Sequence, residues 1–264
     1  MNRPWLYSEY ILDSFHGGYT VEGLTAEIRA RHGYLVELER AAIKASVPIR
    51  AAFQGTDIGA FRVLAPRIDR YVSLIHEFDK TPTSYAESAP RGVWASLMEG
   101  AKSYLESWGL ELLSESPEPT SASNESSVVQ LARIDDELIL LTGDVGPIAL
   151  AEAKDYLDST SLFTQLNVFQ VPHHGSRRNV TPTVLTRWLG APNIPYGTRR
   201  GIAICSLGKD KTEFPRKRVS NACFRRGFPI YTTRASNLRH HKNMGERAGY
   251  SSMAHEPFVA EFEE

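Results

Sequence analysis

From residue 128 onward, short apolar runs alternate with segments of helical period, and this alternation constrains the fold more than any other feature of the chain. Strand-like runs occur in "VVQLARI", "ELILL", "LNVFQV", "GIAIC" and "FPIYTT". The first two surround the turn "IDDE" and predict a hairpin, whereas segments of helical period separate the others. Strands that alternate with helices indicate an α/β architecture.

The part of the chain before this region has a different pattern. Residues 1–79 predict mainly helices, including one over 20–47, with two short strands around the turn "QGTD". Residues 80–123 contain a turn-rich stretch, a segment of helical period at 91–115 and a polar loop, and predict a helical or flexible insertion. With 264 residues, the chain is expected to form a single domain over 1–264 that includes this insertion.

Several classes of protein do not fit the composition. No apolar run is long enough to cross a membrane, and the N-terminus lacks the basic start and apolar core of a signal peptide. The two cysteines, Cys205 and Cys223, lack the spacing of a zinc site. They are typical of buried thiols in a reducing compartment, so a cytoplasmic location without membrane contact is expected.

Two polar clusters follow apolar strands, 29 positions apart. Asp144 follows "LILLTG", and His173 and His174 follow "LNVFQVP". Strand ends are a common place for functional sites in α/β proteins, and a carboxylate with imidazoles suits zinc or manganese. From spacing alone, Asp144 could instead cap the helix that follows it, and the histidines could be ordinary turn or surface residues.

Basic residues are concentrated in the C-terminal part of the chain. Residues 177–242 contain 15 Lys and Arg but only two acidic residues, whereas the formal net charge of the whole chain is −1. Such a block predicts an anionic partner, nucleic acid or another polyanion, unless its charges are spread over solvated faces. Ser176 is expected to bind the substrate, and Arg177 and Arg178, which directly follow it, are expected to flank a bound phosphate. The remaining track is expected to include Arg216, Lys217, Arg218, Arg225 and Arg226.

Together, the segments "NESSVV", "LILLTGDVG" and "VFQVPHHGSRR" resemble the second half of a metallo-β-lactamase-fold hydrolase. The resemblance is closest to hydrolase domains similar to those of bacterial DNA-uptake competence channels, and it covers residues 124–234 well. It implies an αββα sandwich of mixed sheets with helices outside, incomplete at the N-terminus. It also implies metal-dependent hydrolysis, with phosphodiesters in nucleic acid as the expected substrate.

The same resemblance implies roles for individual residues. Asp144 would bridge two zinc or manganese ions, and His173 or His174 would bind one of them, the other histidine acting behind the metal or as a proton donor. Asn124, Ser126 and Ser127 lie where other members carry a further histidine, and they are expected to orient the substrate or a metal ligand without binding the metal themselves.

The chain departs from the family in one important respect, because the His-x-His-x-Asp-His motif is missing from its sequence. Three interpretations follow: a fragment of an active hydrolase with that motif upstream, a degenerate homologue that binds an anionic partner without catalysis, or an enzyme with a reduced site. A sheet without the first strands of the fold would expose an apolar edge. Such an edge favours a homodimer or a partner segment that completes the sheet.

Overall fold

The structure, a computed structural model, describes residues 1–15, 17–79, 103–160, 165–234 and 237–263. Its α-helices are α1 (Ser8–Ile11), α2 (Val21–Arg31), α3 (Gly33–Lys44), α4 (Ile68–Leu74), α5 (Ala122–Glu125), α6 (Pro147–Ser159), α7 (Pro182–Leu189) and α8 (Lys217–Phe224). None of the helices within these ranges has the length and apolar character needed to span a membrane.

Its strands are β1 (Asp57–Ile58), β2 (Phe61–Ala65), β3 (Ser103–Leu105), β4 (Val129–Ile134), β5 (Glu137–Leu141), β6 (Val168–Gln170), β7 (Ile202–Cys205), β8 (Ile230–Thr232) and β9 (Glu261–Glu263). Seven of them form a mixed sheet in the order β1-β2-β4-β5-β6-β7-β8, and β3 pairs with β9 in a separate two-stranded sheet. The predicted α/β class is confirmed by this mixed sheet and its helices.

The strand β5 separates two halves of the large sheet. It pairs antiparallel with β4, whereas β5, β6, β7 and β8 run parallel to one another. The hairpin between β4 and β5 turns at Asp135 and Asp136, which have φ values of 47° and 63°, as a two-residue turn of type I′ requires. Because β5 to β8 are parallel, their carboxyl ends lie at the same edge of the sheet.

The main core lies between one face of this sheet and the helices α6, α7 and α8. Leu140, Phe169 and Ala203 contribute from successive strands and are fully buried. Each large apolar side chain removed from water contributes about 1.5–3 kcal/mol. Cys205 and Cys223, predicted to be buried thiols, lie in this core without a disulfide, and burial raises the pKa of each thiol to about 12.

A second cluster of buried side chains joins the N-terminal helices and includes Trp5, Leu24, Ile28 and Tyr71. The helix predicted over residues 20–47 is divided into α2 and α3 at His32, whose backbone has φ −101° and ψ 45°. The predicted strand pair is also displaced. The hairpin is formed by β1 and β2 and turns at residues 59–60, so β1 begins at the last residue of "QGTD", and "VPIRAAF", predicted as the first strand, contains no strand.

The region predicted as an insertion lies only partly within the described residues, since 80–102 fall outside them. A helix was expected over 91–115, but residues 103–115 contain β3 and no helix. The Glu106 carboxylate of this segment is buried against Arg225 and accepts a hydrogen bond from Asn221 Nδ2 at 2.9 Å. These tertiary contacts override the helical period of the local sequence.

The edges of the large sheet differ from the expectation of a long unpaired apolar edge. At one side β1 has only two residues, both exposed, and one of them is Asp57. At the other side the carbonyl of Ile230 in β8 accepts a hydrogen bond from Glu256 N at 2.7 Å. Within the described part of the sheet, the physical reason for edge-to-edge pairing is therefore weak, and the homodimer remains a prediction.

Candidate functional site

The loops after β5 and β6 are joined by backbone hydrogen bonds. His173 N donates to Gly143 O at 3.1 Å. The side-chain oxygen of Gln170 accepts hydrogen bonds from Thr142 N at 2.8 Å and from Gly143 N at 3.2 Å. Asp144 follows Gly143 directly, so the two polar clusters identified in the sequence lie on loops that contact each other.

Asn179 binds the loop after β5 through hydrogen bonds to its backbone. It is fully buried, and its Nδ2 donates to Asp144 O at 3.0 Å and to Val145 O at 3.1 Å. Its Oδ1 has no hydrogen-bond partner among the described residues. Sequence reasoning missed both Asn179 and Gln170. For Gln170 the available signal was a polar residue at the end of an apolar strand. For Asn179 it was only an amide side chain in a polar loop, which gives no sign of its burial.

The carboxylate of Asp144 does not cap the following helix. The first amides of α6 are bound by Glu125 instead, which accepts hydrogen bonds from Ile148 N at 3.4 Å and from Ala149 N at 2.8 Å. Asp144 is exposed, and its carboxylate forms no hydrogen bond or ion pair with the residues that the structure describes. The helix-capping alternative for Asp144 is therefore excluded. The capping role belongs to Glu125, which was not identified from the sequence.

The two histidines are held in different hydrogen-bonding arrangements. His174 Nδ1 lies 2.6 Å from Ser206 O, so Nδ1 carries a proton and donates it to the carbonyl oxygen. His173 Nδ1 lies 2.8 Å from Asn124 Nδ2, which donates to it. In the neutral rings, His174 therefore presents an unprotonated Nε2, whereas His173 presents a protonated Nε2.

The backbone of both histidines is in the left-handed region, with φ values of 43° at His173 and 58° at His174. Non-glycine residues rarely adopt this conformation, and each such residue costs roughly 1–3 kcal/mol. Residues in strained backbone conformations cluster at ligand and active sites. Asp135 and Asp136 adopt the same conformation in the turn between β4 and β5. At His173 and His174 the conformation therefore indicates function only together with the two imidazoles and their position at a strand end.

The other residues expected to bind substrate lie nearby. Ser176 Oγ accepts a hydrogen bond from Arg178 N at 3.3 Å, and Ser126 Oγ donates to Ser123 O at 2.8 Å. Arg178 also forms an ion pair with Glu118 at the surface. Arg177 is half-buried in the same loop.

The basic track expected beyond this loop is wrong in part. The Arg225 and Arg226 side chains are 0% and 1% exposed, and they form ion pairs with Glu106 and Glu111 respectively. A guanidinium buried with a carboxylate partner is not available to a polyanion. Through these ion pairs, the two arginines instead link residues 103–111 to the end of α8.

The donors at the strand ends fit zinc or manganese in chemical type, because they combine a carboxylate oxygen with imidazole nitrogens. They fall short in number. Within the described ranges, no group of three or more His, Cys, Asp or Glu side chains is placed to hold a metal ion. The described residues therefore do not assemble the two-metal centre that the family resemblance implies.

Comparison of the chain with protein-family models, with curated proteins and with solved structures found no match. The class of the protein accordingly follows from its own topology, which is a mixed α/β fold. Inferences about its function start from the residues at the carboxyl ends of β5 to β8.

Proposed function

We propose that the chain is a metal-dependent phosphodiester hydrolase that acts on nucleic acid, with its site at the carboxyl ends of β5 and β6. One observation carries the proposal: the hydrogen bond from His174 Nδ1 to Ser206 O leaves Nε2 unprotonated on a strained loop, and this loop is hydrogen-bonded through its backbone to the loop of Asp144. A backbone carbonyl on Nδ1 is the arrangement that commonly orients a metal-binding histidine.

The proposed roles follow from the two ring arrangements. Asp144 and His174 would hold a zinc or manganese ion, which supplies hydroxide near neutral pH by lowering the pKa of bound water. His173, whose Nδ1 accepts from Asn124, would donate its Nε2 proton to a phosphoryl oxygen or to the leaving oxygen. Asn124 is therefore a positioning residue, and Ser176 and Arg177 would contact the phosphate from the same loop.

The fold supports the proposal at the level of architecture. The mixed sheet, with α6, α7 and α8 on one face, is compatible with one strand layer and one helical layer of an αββα sandwich. We therefore propose a metallo-β-lactamase-like arrangement for this sheet and its helices. It departs from a full sandwich at β7 and β8, where the described residues that line the opposite sheet face belong to 237–253 and not to a second sheet.

A second candidate function is a nucleic-acid-binding module without catalysis. It is favoured by the finding that, among the described residues, no three His, Cys, Asp or Glu side chains are grouped so that they could hold a metal ion. On this reading the strand-end loop binds phosphate through its backbone and through Arg177, and no metal is needed.

Metal content of the protein purified without chelator separates the two functions. We expect stoichiometric zinc or manganese in the wild type, its loss in Asp144→Asn and His174→Gln, and its retention in His173→Gln. Cleavage of a labelled oligonucleotide should disappear in all three variants. A wild-type protein that takes up neither metal after dialysis against it, and cleaves nothing, would rule out the hydrolase and leave the binding module.

A further inference from the structure

A cavity of about 1220 Å³ lies against the face of β7 and β8 opposite to the helices. Its floor includes Ile202, Ile204 and Tyr231, whose neighbours Ala203 and Ile230 point into the main core. Residues 237–253 supply most of the remaining wall. The cavity is larger than the roughly 300–1,000 Å³ typical of small-ligand pockets, so its size suits an extended ligand.

The wall of this cavity carries an unbalanced positive charge. Arg199, Arg239 and Arg247 line it, and Glu246 is the acidic residue among the lining side chains. In the described part of the chain, none of these three arginines forms an ion pair. By contrast, Arg187 is paired with two aspartates at 2.7 and 3.1 Å. The lining therefore favours an anionic ligand.

Two of the arginines lie beside aromatic rings of the same cavity. The Arg199 guanidinium lies 5.8 Å from the centroid of the Tyr231 ring, and that of Arg247 lies 5.5 Å from the Tyr250 ring. Tyr250 is 42% exposed and Tyr231 is half-buried. Alternating cations and aromatic faces are what a nucleic-acid strand requires, because phosphates pair with the cations and bases stack on the rings.

The cavity is also close to the strand-end site. Ile204 precedes Ser206 by two residues, and Ser206 O is the atom that binds His174 Nδ1. An extended chain rises about 3.3 Å per residue, so the floor lies within about 7 Å of Ser206 along the chain.

We propose that this cavity binds a single strand of nucleic acid, with phosphates against Arg239 and Arg247 and bases against Tyr231 and Tyr250. A duplex is disfavoured because its bases are stacked inside the helix and cannot reach the tyrosines. The binding itself is independent of catalysis. Only the assignment of the bound strand as the substrate cleaved at the His173–His174 loop rests on the proposed function.

Fluorescence anisotropy of a short labelled oligothymidylate, in chelator to prevent cleavage, tests whether the cavity binds a single strand. We expect Arg239→Ala/Arg247→Ala to weaken binding by about tenfold or more at low salt. The variant should also flatten the slope of log affinity against log salt, by about 0.7 for each lost phosphate contact on a single strand. Tyr250→Ala should weaken binding about fivefold or more at all salt concentrations, because stacking is not ionic.

The matched control is Arg62→Ala/Arg67→Ala, which removes the same charge from exposed arginines that are paired with Asp57 and Asp69. This control should bind the oligonucleotide as the wild type does. Equal losses in both double variants would mean that only overall charge matters, and would overturn the cavity site. Equal competition by duplex and single strand, per nucleotide, would overturn the choice of a single strand.

The Asp144→Asn variant separates this proposal from the hydrolase. It should bind the oligonucleotide with wild-type affinity and fail to cleave it when metal is added. Undiminished cleavage by Asp144→Asn would refute the proposed catalytic site and leave the cavity unaffected. Undiminished binding by Arg239→Ala/Arg247→Ala would refute the cavity and leave the catalytic site unaffected.

Discussion

Replacement of Gly175 by alanine should destabilise the protein through one identifiable contact. Gly175 has φ +80°, and a Cβ at this position would lie 2.5 Å from Pro215 Cβ and 2.9 Å from Pro215 Cα. Gly197 offers a matched comparison, since its φ is +82° and no atom lies within 4 Å of the corresponding Cβ position. Both substitutions introduce the same side chain at nearly the same positive φ, and only the side chain at residue 175 meets neighbouring atoms.

The expected difference can be worked out from these two positions. A left-handed alanine costs about 1–2 kcal/mol at either site, and the smaller entropy of the unfolded chain offsets part of that cost equally in both. Crowding against Pro215 adds roughly 1–3 kcal/mol, as overpacking of a filled interior does. Gly175→Ala should therefore be less stable than Gly197→Ala by roughly 1–3 kcal/mol.

Urea unfolding followed by tryptophan fluorescence and by circular dichroism measures this difference, provided that the slopes of the transitions agree. A difference between the two variants below about 0.5 kcal/mol, the usual scatter of neutral substitutions, would show that Gly175 is not packed against Pro215. The position assigned to the His173–His174 loop would then be wrong as well, because Arg216 N donates to Gly175 O at 3.1 Å and ties the two segments together.

Two further predictions concern the core. Arg225→Met should lower the free energy of unfolding by about 3–5 kcal/mol, since it leaves Glu106 buried without its cation, and Arg225→Met/Glu106→Leu should recover most of that loss. Equal stability of the single and double variants in urea would refute the buried pair. Because burial raises the thiol pKa of Cys205 and Cys223 to about 12, a thiol reagent near pH 8 should label neither in the folded protein and both in denaturant. Rapid labelling without denaturant would show that the core is open.

The parallel part of the sheet could be predicted from the sequence because each strand is marked by the residues within it and directly next to it. The runs "ELILL", "LNVFQV" and "GIAIC" have the length and composition of strands, and each is bounded by turn residues or a helical segment. Their order then places Asp144 and His173 at the same edge of the sheet. The side chains that fix this edge were not predictable in the same way, since Asn179 acts on Asp144 O across 35 positions.

The distribution of basic residues along the sequence was the least reliable basis for predicting which side chains are available to a ligand. Arg225 was expected on an exposed basic track, but its carboxylate partner, Glu106, lies 119 positions earlier, in a segment whose local period favours a helix. Neither residue reveals the other from sequence alone. Burial of a charge depends on a partner that only the tertiary fold brings close, so a count of basic residues overestimates the charge available to a ligand.

The conformation of the His173–His174 loop has a consequence for how the protein could change over evolutionary time. Glycine adopts the left-handed conformation more readily than histidine does. A chain selected for stability alone would accordingly exchange the imidazoles for glycine, with little change in the shape of the loop. If the proposed hydrolase site is correct, folding stability and chemistry favour different amino acids at these two positions, as at other sites that trade stability for activity.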